Sequence, residues 1–249
     1  MATFPNSATA DGIWSLKKQK RAKQGSDWPA LAPVQPSLPS GTVLYINAES
    51  ATLNDGSSNN YTISNAGGAS RSTSVVKVGT GSVDFDGSDN AYIYVSGETF
   101  FKNSLSSWQF QCWARNRGGI PGTGDTGQLI DQYQAGAAGR MIFGFQDSGI
   151  DLRVNGGTIY LTSGDILSGD TWYHVCLNYD GTTHRLFIDG DLKDSSTTVP
   201  SLWTGVDTGF GGGGALGGYD LDGYMDDILV QHNSTVFTSN FTPNTTGYS

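Results

Sequence analysis

Residues 169–190 read GDTWYHVCLNYDGTTHRLFIDG, and this stretch decides the fold. Between residues 172 and 179 the side chains alternate, so Val175, Leu177 and Tyr179 face one side of a strand and Trp172, His174, Cys176 and Asn178 the other. Asp180 and Gly181 supply turn chemistry, because both tolerate the positive φ that a short hairpin demands. Residues 185–189 form the return strand, with Leu186 and Ile188 on one face, and Asp189-Gly190 is a second hairpin signal. A sheet is under construction here, and the rest of the chain must supply its other strands.

The chain has 249 residues, which fits one large β domain plus an extension and suffices to bury a sizeable core. Its 35 glycines and sparse charge suit short strands separated by turns. The formal charge of −9 is unevenly spread: of 14 Lys and Arg five lie in residues 1–40, leaving nine, and of 23 Asp and Glu two lie there, leaving 21. The body is acidic and the arm is basic. An acidic body argues against nucleic acid as the ligand, since phosphate binding needs a cationic footprint. No apolar run is long enough for a signal peptide or a bilayer span, so synthesis in a cytosol without membrane insertion is expected. Cys112 shares the core phase of Trp108 and Phe110, whereas Cys176 lies opposite the core phase of its own strand, so no disulfide is expected.

Residues 1–40 read as a separate piece. Thr9 or Asp11 suits the cap of a short helix running to Lys23, which carries Lys17, Lys18, Lys20, Arg21 and Lys23 beside Trp14. Trp28-Pro29 then opens a segment with Pro33, Pro36 and Pro39, a composition that favours an extended linker. Three readings stand: a solvated arm; an anchor that orders against another protein, with Trp14 and Trp28 as apolar plugs and the cations meeting an acidic surface; and, as the weakest, a basic run that meets nucleic acid. Two tryptophans favour the anchor.

Further strands are expected at residues 42–47, 61–63, 74–78, 82–85, 91–95, 108–115, 128–131, 140–146, 149–154, 158–162 and 223–230. In 108–115, alternation places Trp108, Phe110, Cys112 and Ala114 inward and Gln109, Gln111, Trp113 and Arg115 on the other face. The pattern W-x-H-V-x-L-x-Y-D-G followed by R-L-F-I-D-G resembles the signature hairpin of laminin-G-like, concanavalin A-like jelly rolls. SVDFDGSDNAYIYV, the strand around Trp113 and GYMDDILV are similar to other segments of that family, and TVFTSNFTPN resembles the tail of versions carried by marine bacteriophage structural proteins. The resemblance runs from Val43 to Pro243. It implies an all-β, two-sheet antiparallel jelly-roll sandwich over residues 41–249, carried on the extended or helical arm of residues 1–40. It leaves function open, because that fold serves lectins, glycanases and structural modules alike.

Catalysis has little support in the residues. A retaining glycanase needs two carboxylates about 5–5.5 Å apart. The two glutamates, Glu49 and Glu98, stand alone, and Asp226 and Asp227, being adjacent in a strand, are expected to face opposite ways. His174, His184 and His232 accompany no nucleophile motif, and His174 matches a family position that ordinarily makes a structural hydrogen bond. Asp84, Asp86 and Asp89 around one turn, with Asp220 and Asp222, offer hard oxygen ligands suited to calcium, although Asp is also the common turn residue. Gln109, Gln111, Trp113 and Arg115, beside Trp172, His174 and Asn178, have the aromatic and amide composition of a glycan platform; the competing reading is that a third layer or a neighbouring subunit covers them.

The sequence therefore predicts a non-enzymatic virion protein of a bacteriophage, made in the host cytoplasm: a capsid decoration, tail or fibre component. Its arm docks on other virion proteins, and its multicopy or homo-oligomeric lectin-like body grips host-surface polysaccharide. The alternative is a free soluble lectin.

Overall fold

The computed structural model describes residues 35–118, 126–132, 140–146, 149–154, 157–165, 167–202, 207–213 and 220–248. The anchoring candidates Trp14, Lys17, Lys18, Lys20, Arg21, Lys23 and Trp28 lie outside the described residues. In chain order the strands are β1 (Thr42–Ile46), β2 (Ser64–Gly67), β3 (Ala69–Ser72), β4 (Ser82–Asp86), β5 (Tyr92–Val95), β6 (Trp108–Asn116), β7 (Thr126–Gln132) and β8 (Met141–Gln146). They continue with β9 (Gly149–Val154), β10 (Thr158–Thr162), β11 (Tyr173–Tyr179), β12 (His184–Ile188), β13 (Asp191–Ser196), β14 (Thr208–Phe210) and β15 (Asp222–His232).

Two antiparallel sheets face each other. One runs β13-β12-β11-β6-β15-β4-β3, with β1 also on β15; the other runs β10-β9-β8-β7-β14-β5-β2. The 11-residue β15 is the spine of the first sheet. Its first half pairs with β4 and its second half with β1 along one edge, while β6 pairs along the whole of the other.

The alternation read in β6 and β11 is the alternation observed. Trp108, Phe110, Cys112 and Ala114, with Val175, Leu177 and Tyr179, enter the core between the sheets. Phe110 stacks on Phe210 of the other sheet at 6.2 Å and meets Phe143 edge-on at 6.1 Å, so three rings bridge the layers. Each is fully buried, which stabilises the sandwich by about 1.5–3 kcal/mol per ring. Cys112 faces this core and Cys176 is buried on the opposite face, both as free thiols.

Local expectations differ from the structure at three places. Residues 61–63 and 74–78 are not strands; β2 and β3 sit at Ser64–Gly67 and Ala69–Ser72 instead. Around residue 75 side chains replace the ladder: the Ser72 hydroxyl accepts the amides of Ser74 and Val75, and the Asp226 carboxylate accepts those of Lys77 and Val78. Asp180-Gly181 opens a four-residue connection in which only Gly181 takes the positive φ expected of this pair, and the Asp180 carboxylate accepts the amides of Thr182 and Thr183. The two-residue turn is Asp189-Gly190, at φ 52° and 84°.

A β-bulge makes the third difference. Met225 and Ile228 both enter the core, and the register of β15 against β6 shifts between Asp226 and Leu229. Asp227 sits there at φ 54°, and the extra residue turns Asp226 and Asp227 to the same, outer side of the sheet, so they do not face opposite ways.

Candidate functional site

The outer face of the eight-stranded sheet carries the residues singled out for glycan contact, and the structure divides them. Asn178, Gln109 and Gln231 form a row across β11, β6 and β15. The Asn178 amide donates to Gln109 Oε1 at 3.3 Å, and the amides of Gln109 and Gln111 donate to Gln231 Oε1 at 3.0 and 3.3 Å. Onto this row the C-terminal segment 233–248 lies down as a strap. The Phe237 amide donates to Gln109 Oε1 at 3.1 Å, Asn178 donates to the Phe237 carbonyl at 2.9 Å, and Trp113 Nε1 donates to the Asn244 carbonyl at 3.0 Å.

Aromatic contacts fix the strap's middle. Phe241 stacks on Phe237 at 3.6 Å and meets Phe187 and His174 edge-on at 5.4 and 5.7 Å. Gly190 makes the crossing possible: a Cβ there would lie 1.9 Å from the Phe241 carbonyl oxygen, whose own amide donates to Gly190 O at 2.9 Å. Gln109, Gln111, Trp113, His174 and Asn178 are consequently buried to 6% exposure or less. These five are the bed of the strap rather than an open platform. The cover is the chain's own C-terminus.

The His174 ring does not make the structural hydrogen bond expected of it. It packs between Trp113 and Phe241, its Nδ1 has no partner, and burial lowers its pKa to about 4. The strap ends where Tyr248 meets Tyr45 edge-on at 5.8 Å, and the Tyr45 hydroxyl donates to Asp227 at 2.5 Å. Burial pushes the carboxyls of Asp226 and Asp227 up to about 7 and 6, against hydrogen bonds that favour the charged form. Both are buried, Asp226 bonded to the loop amides of Lys77 and Val78 and Asp227 to the Tyr45 hydroxyl of β1. Glu49 is bound to the amide and hydroxyl of Thr80.

Arg115 and Trp172, the remaining two, lie beyond the strap. Arg115 pairs across the ladder with Tyr224, and Tyr224 with Asp84. Trp172 is half-buried against Tyr224, with ring centroids 6.3 Å apart. Arg115 bonds Asp170 at 2.9 Å, and that contact, more than the amide of Gly118, holds the Asp170 carboxyl below the usual range. The Arg117 guanidinium sits 4.9 Å from the Tyr224 ring and bonds both Asp84 and Asp222. Beside them the Lys77 ammonium rests 4.0 Å over Trp113. Tyr224 itself is buried, so the patch offers the half-exposed Trp172 ring, bordered by charged groups that donate and accept hydrogen bonds. Tyr224, Arg117 and Asp170 were missed in the sequence because they join the patch only through the β6–β15 register and the turn before β11.

The five aspartates considered for calcium fall into two groups. Asp84 and Asp222 are held by Arg117. Asp86 accepts the amide and hydroxyl of Ser88 at 3.0 and 2.6 Å, Asp220 accepts the Asn90 amide at 2.8 Å, and Asp89 is exposed nearby. Among the described residues no three His, Cys, Asp or Glu side chains gather in a way that could hold a metal ion. On the other sheet, Tyr92 and Tyr94 form a half-buried pair at 5.8 Å on the outer face. A polar groove of about 640 Å³, bordered by Ser40, Ser106, Gln231 and Ser234, lies at the end of the first sheet.

Fold and face together define a lectin-like jelly roll. The chain belongs to the concanavalin A-like lectin/glucanases superfamily, whose model matches residues 86–235, more than half of the sequence. No curated protein matches it. Among solved structures it is similar to the binding domain of Paraclostridial Mosquitocidal Protein 1, at 16% identity, TM-score 0.62, and 79% of this chain against 50% of that one. It is also similar to the botulinum neurotoxin serotype D ligand binding domain in complex with N-acetylneuraminic acid, at 14% identity, TM-score 0.61, and 79% against 48%. A third is domain 4 of the extracellular arabinanase AbnA from Geobacillus stearothermophilus in complex with arabinotriose, at 14% identity, TM-score 0.58, and 78% against 94%. The chain thus spans about half the length of the two toxin domains. Among the described residues no helix is long and apolar enough to cross a membrane.

Proposed function

We propose that the protein is a non-enzymatic glycan-binding display module of a bacteriophage virion. In this reading residues 1–40 anchor it to other virion proteins, and its many copies engage host-surface polysaccharide. The observation that carries the binding role is the half-exposed Trp172 ring, packed on the buried Tyr224 and ringed by Arg115, Arg117, Asp170 and Asp222, on a sheet face otherwise sealed by the strap. An aromatic face stacks on the apolar face of a sugar ring while flanking polar groups take its hydroxyls. One such small patch binds weakly, and multiple copies multiply the avidity without new contacts.

The virion role is supported by the basic, two-tryptophan arm and by the resemblance of TVFTSNFTPN to tails of phage-borne domains. Two variants test the parts separately. Trp172→Ala in the full chain is expected to lower adhesion to host-cell envelope polysaccharide while leaving thermal unfolding within a few degrees of the parent. Deletion of residues 1–40 is expected to abolish incorporation into particles while the body stays folded. A protein that keeps its glycan binding but is never found in particles is instead a free lectin.

A further inference from the structure

Resting on that reading, we infer that the Trp172–Tyr224 patch selects neutral, polyhydroxylated glycans and discriminates against anionic ones. Its cations are already engaged: Arg115 holds Asp170 at 2.9 Å, Arg117 lies between Asp84 and Asp222, and Lys77 rests on Trp113 at 4.0 Å. An incoming carboxylate or sulfate bound by either arginine would have to displace one of those aspartates and would gain only the difference between two similar ion pairs.

The exposed members of the patch are the acids. The side chains of Asp170 and Asp222 are 53% and 51% exposed, against 24% and 35% for Arg115 and Arg117. Groups that reach solvent as carboxylates only accept, so a ligand must bring donors, and sugar hydroxyls are such donors. The surrounding field points the same way. Outside residues 1–40 the chain carries nine Lys and Arg against 21 Asp and Glu, and that excess repels anions approaching the face.

The test is a panel of immobilised polysaccharides presented to the full-chain protein: dextran, mannan and galactan as neutral probes, and hyaluronate, polygalacturonate and polysialate as anionic ones. At least one neutral probe is expected to bind about tenfold or more tighter than every anionic one. That binding should change little between about 0.05 and about 0.5 M salt, because no ligand charge is screened. Trp172→Ala should abolish it. Asp222→Asn should weaken the neutral ligand, with thermal unfolding reporting whether the body is intact. Preference for an anionic probe, strengthened by Asp222→Asn and lost at high salt, overturns the inference and leaves the glycan-binding reading standing. Binding to none of the probes removes both.

Discussion

Replacing Phe241 by Ala isolates the strap's hold on the sheet. The ring stacks on Phe237 at 3.6 Å and touches Phe187 and His174, and it is only half-buried. A fully buried Phe→Ala change costs about 3–5 kcal/mol, so roughly half of that, about 2 kcal/mol, is expected here. Ring contacts worth about 0.5–1.5 kcal/mol apiece are of the right size to account for it. For a domain of this length that is a fall in Tm of roughly 4–8 °C. The assay is urea unfolding followed by tryptophan fluorescence, with a thermal scan alongside. Thr238→Ala, at an exposed position of the same segment, is the control and should stay within about 0.5 kcal/mol of the parent. If Phe241→Ala is no more destabilising than Thr238→Ala, the strap does not hold the sheet and the sealed face is an error.

Gly190→Ala should cost clearly more than Gly97→Ala. Both glycines sit at positive φ, 84° and 75°, which costs about 1–2 kcal/mol for Ala, but only the Gly190 Cβ meets the Phe241 carbonyl, while nothing lies within 4 Å of the other. Equal effects in a chemical melt contradict the crossing. Stability should also carry a pH signature from Asp226 and Asp227. Their folded pKa values, about 7 and 6, lie above the ordinary carboxyl value, so their contribution is complete below about pH 4 and is lost as pH rises through 6 and 7. His174 and His184, lowered to about 4 by burial, act with the opposite sign between about pH 4 and 6.5, so the quantity to plot is the difference between the parent and Asp226→Asn. That difference should move in favour of Asp226→Asn as pH rises from 5 to about 8; a flat difference contradicts the burial of this carboxyl.

The core was legible because its signal is local. Period-two alternation in β6 and β11 fixes which side chains enter the sandwich, and a slip of one residue would have turned Phe110 and Leu177 to the outer face. The outer face was not legible for the complementary reason. Gln109, Gln111, Trp113, His174 and Asn178 look like a wet, sugar-binding surface by composition, yet a strap that follows the last strand covers them, its backbone bonding Gln109, Trp113 and Asn178 and its Phe241 ring packing on His174. No local rule announces where TVFTSNFTPN lies down, because it makes no strand pattern of its own. The bulge in β15 is hidden in the same way: the run MDDIL gives no sign that Asp226 and Asp227 share a side, and only the paired positions in β6 and β1 reveal it. Asp180-Gly181 and Asp189-Gly190 carry the same dipeptide, and what separates their geometries is the four-residue reach of one connection and the two-residue reach of the other.

The account's central claim is that one face of the eight-stranded sheet is divided between a sealed bed and a patch around the half-exposed Trp172 that takes the ligand. Hydrogen–deuterium exchange of the full chain, with and without a saturating polysaccharide identified from the panel, tests it most directly. The account predicts added protection in the segments around Arg115–Arg117, Asp170–Trp172 and Asp222–Tyr224, with residues 233–248 unchanged. Protection confined to Tyr92–Val95, or loss of protection in the strap as the ligand binds, would contradict it.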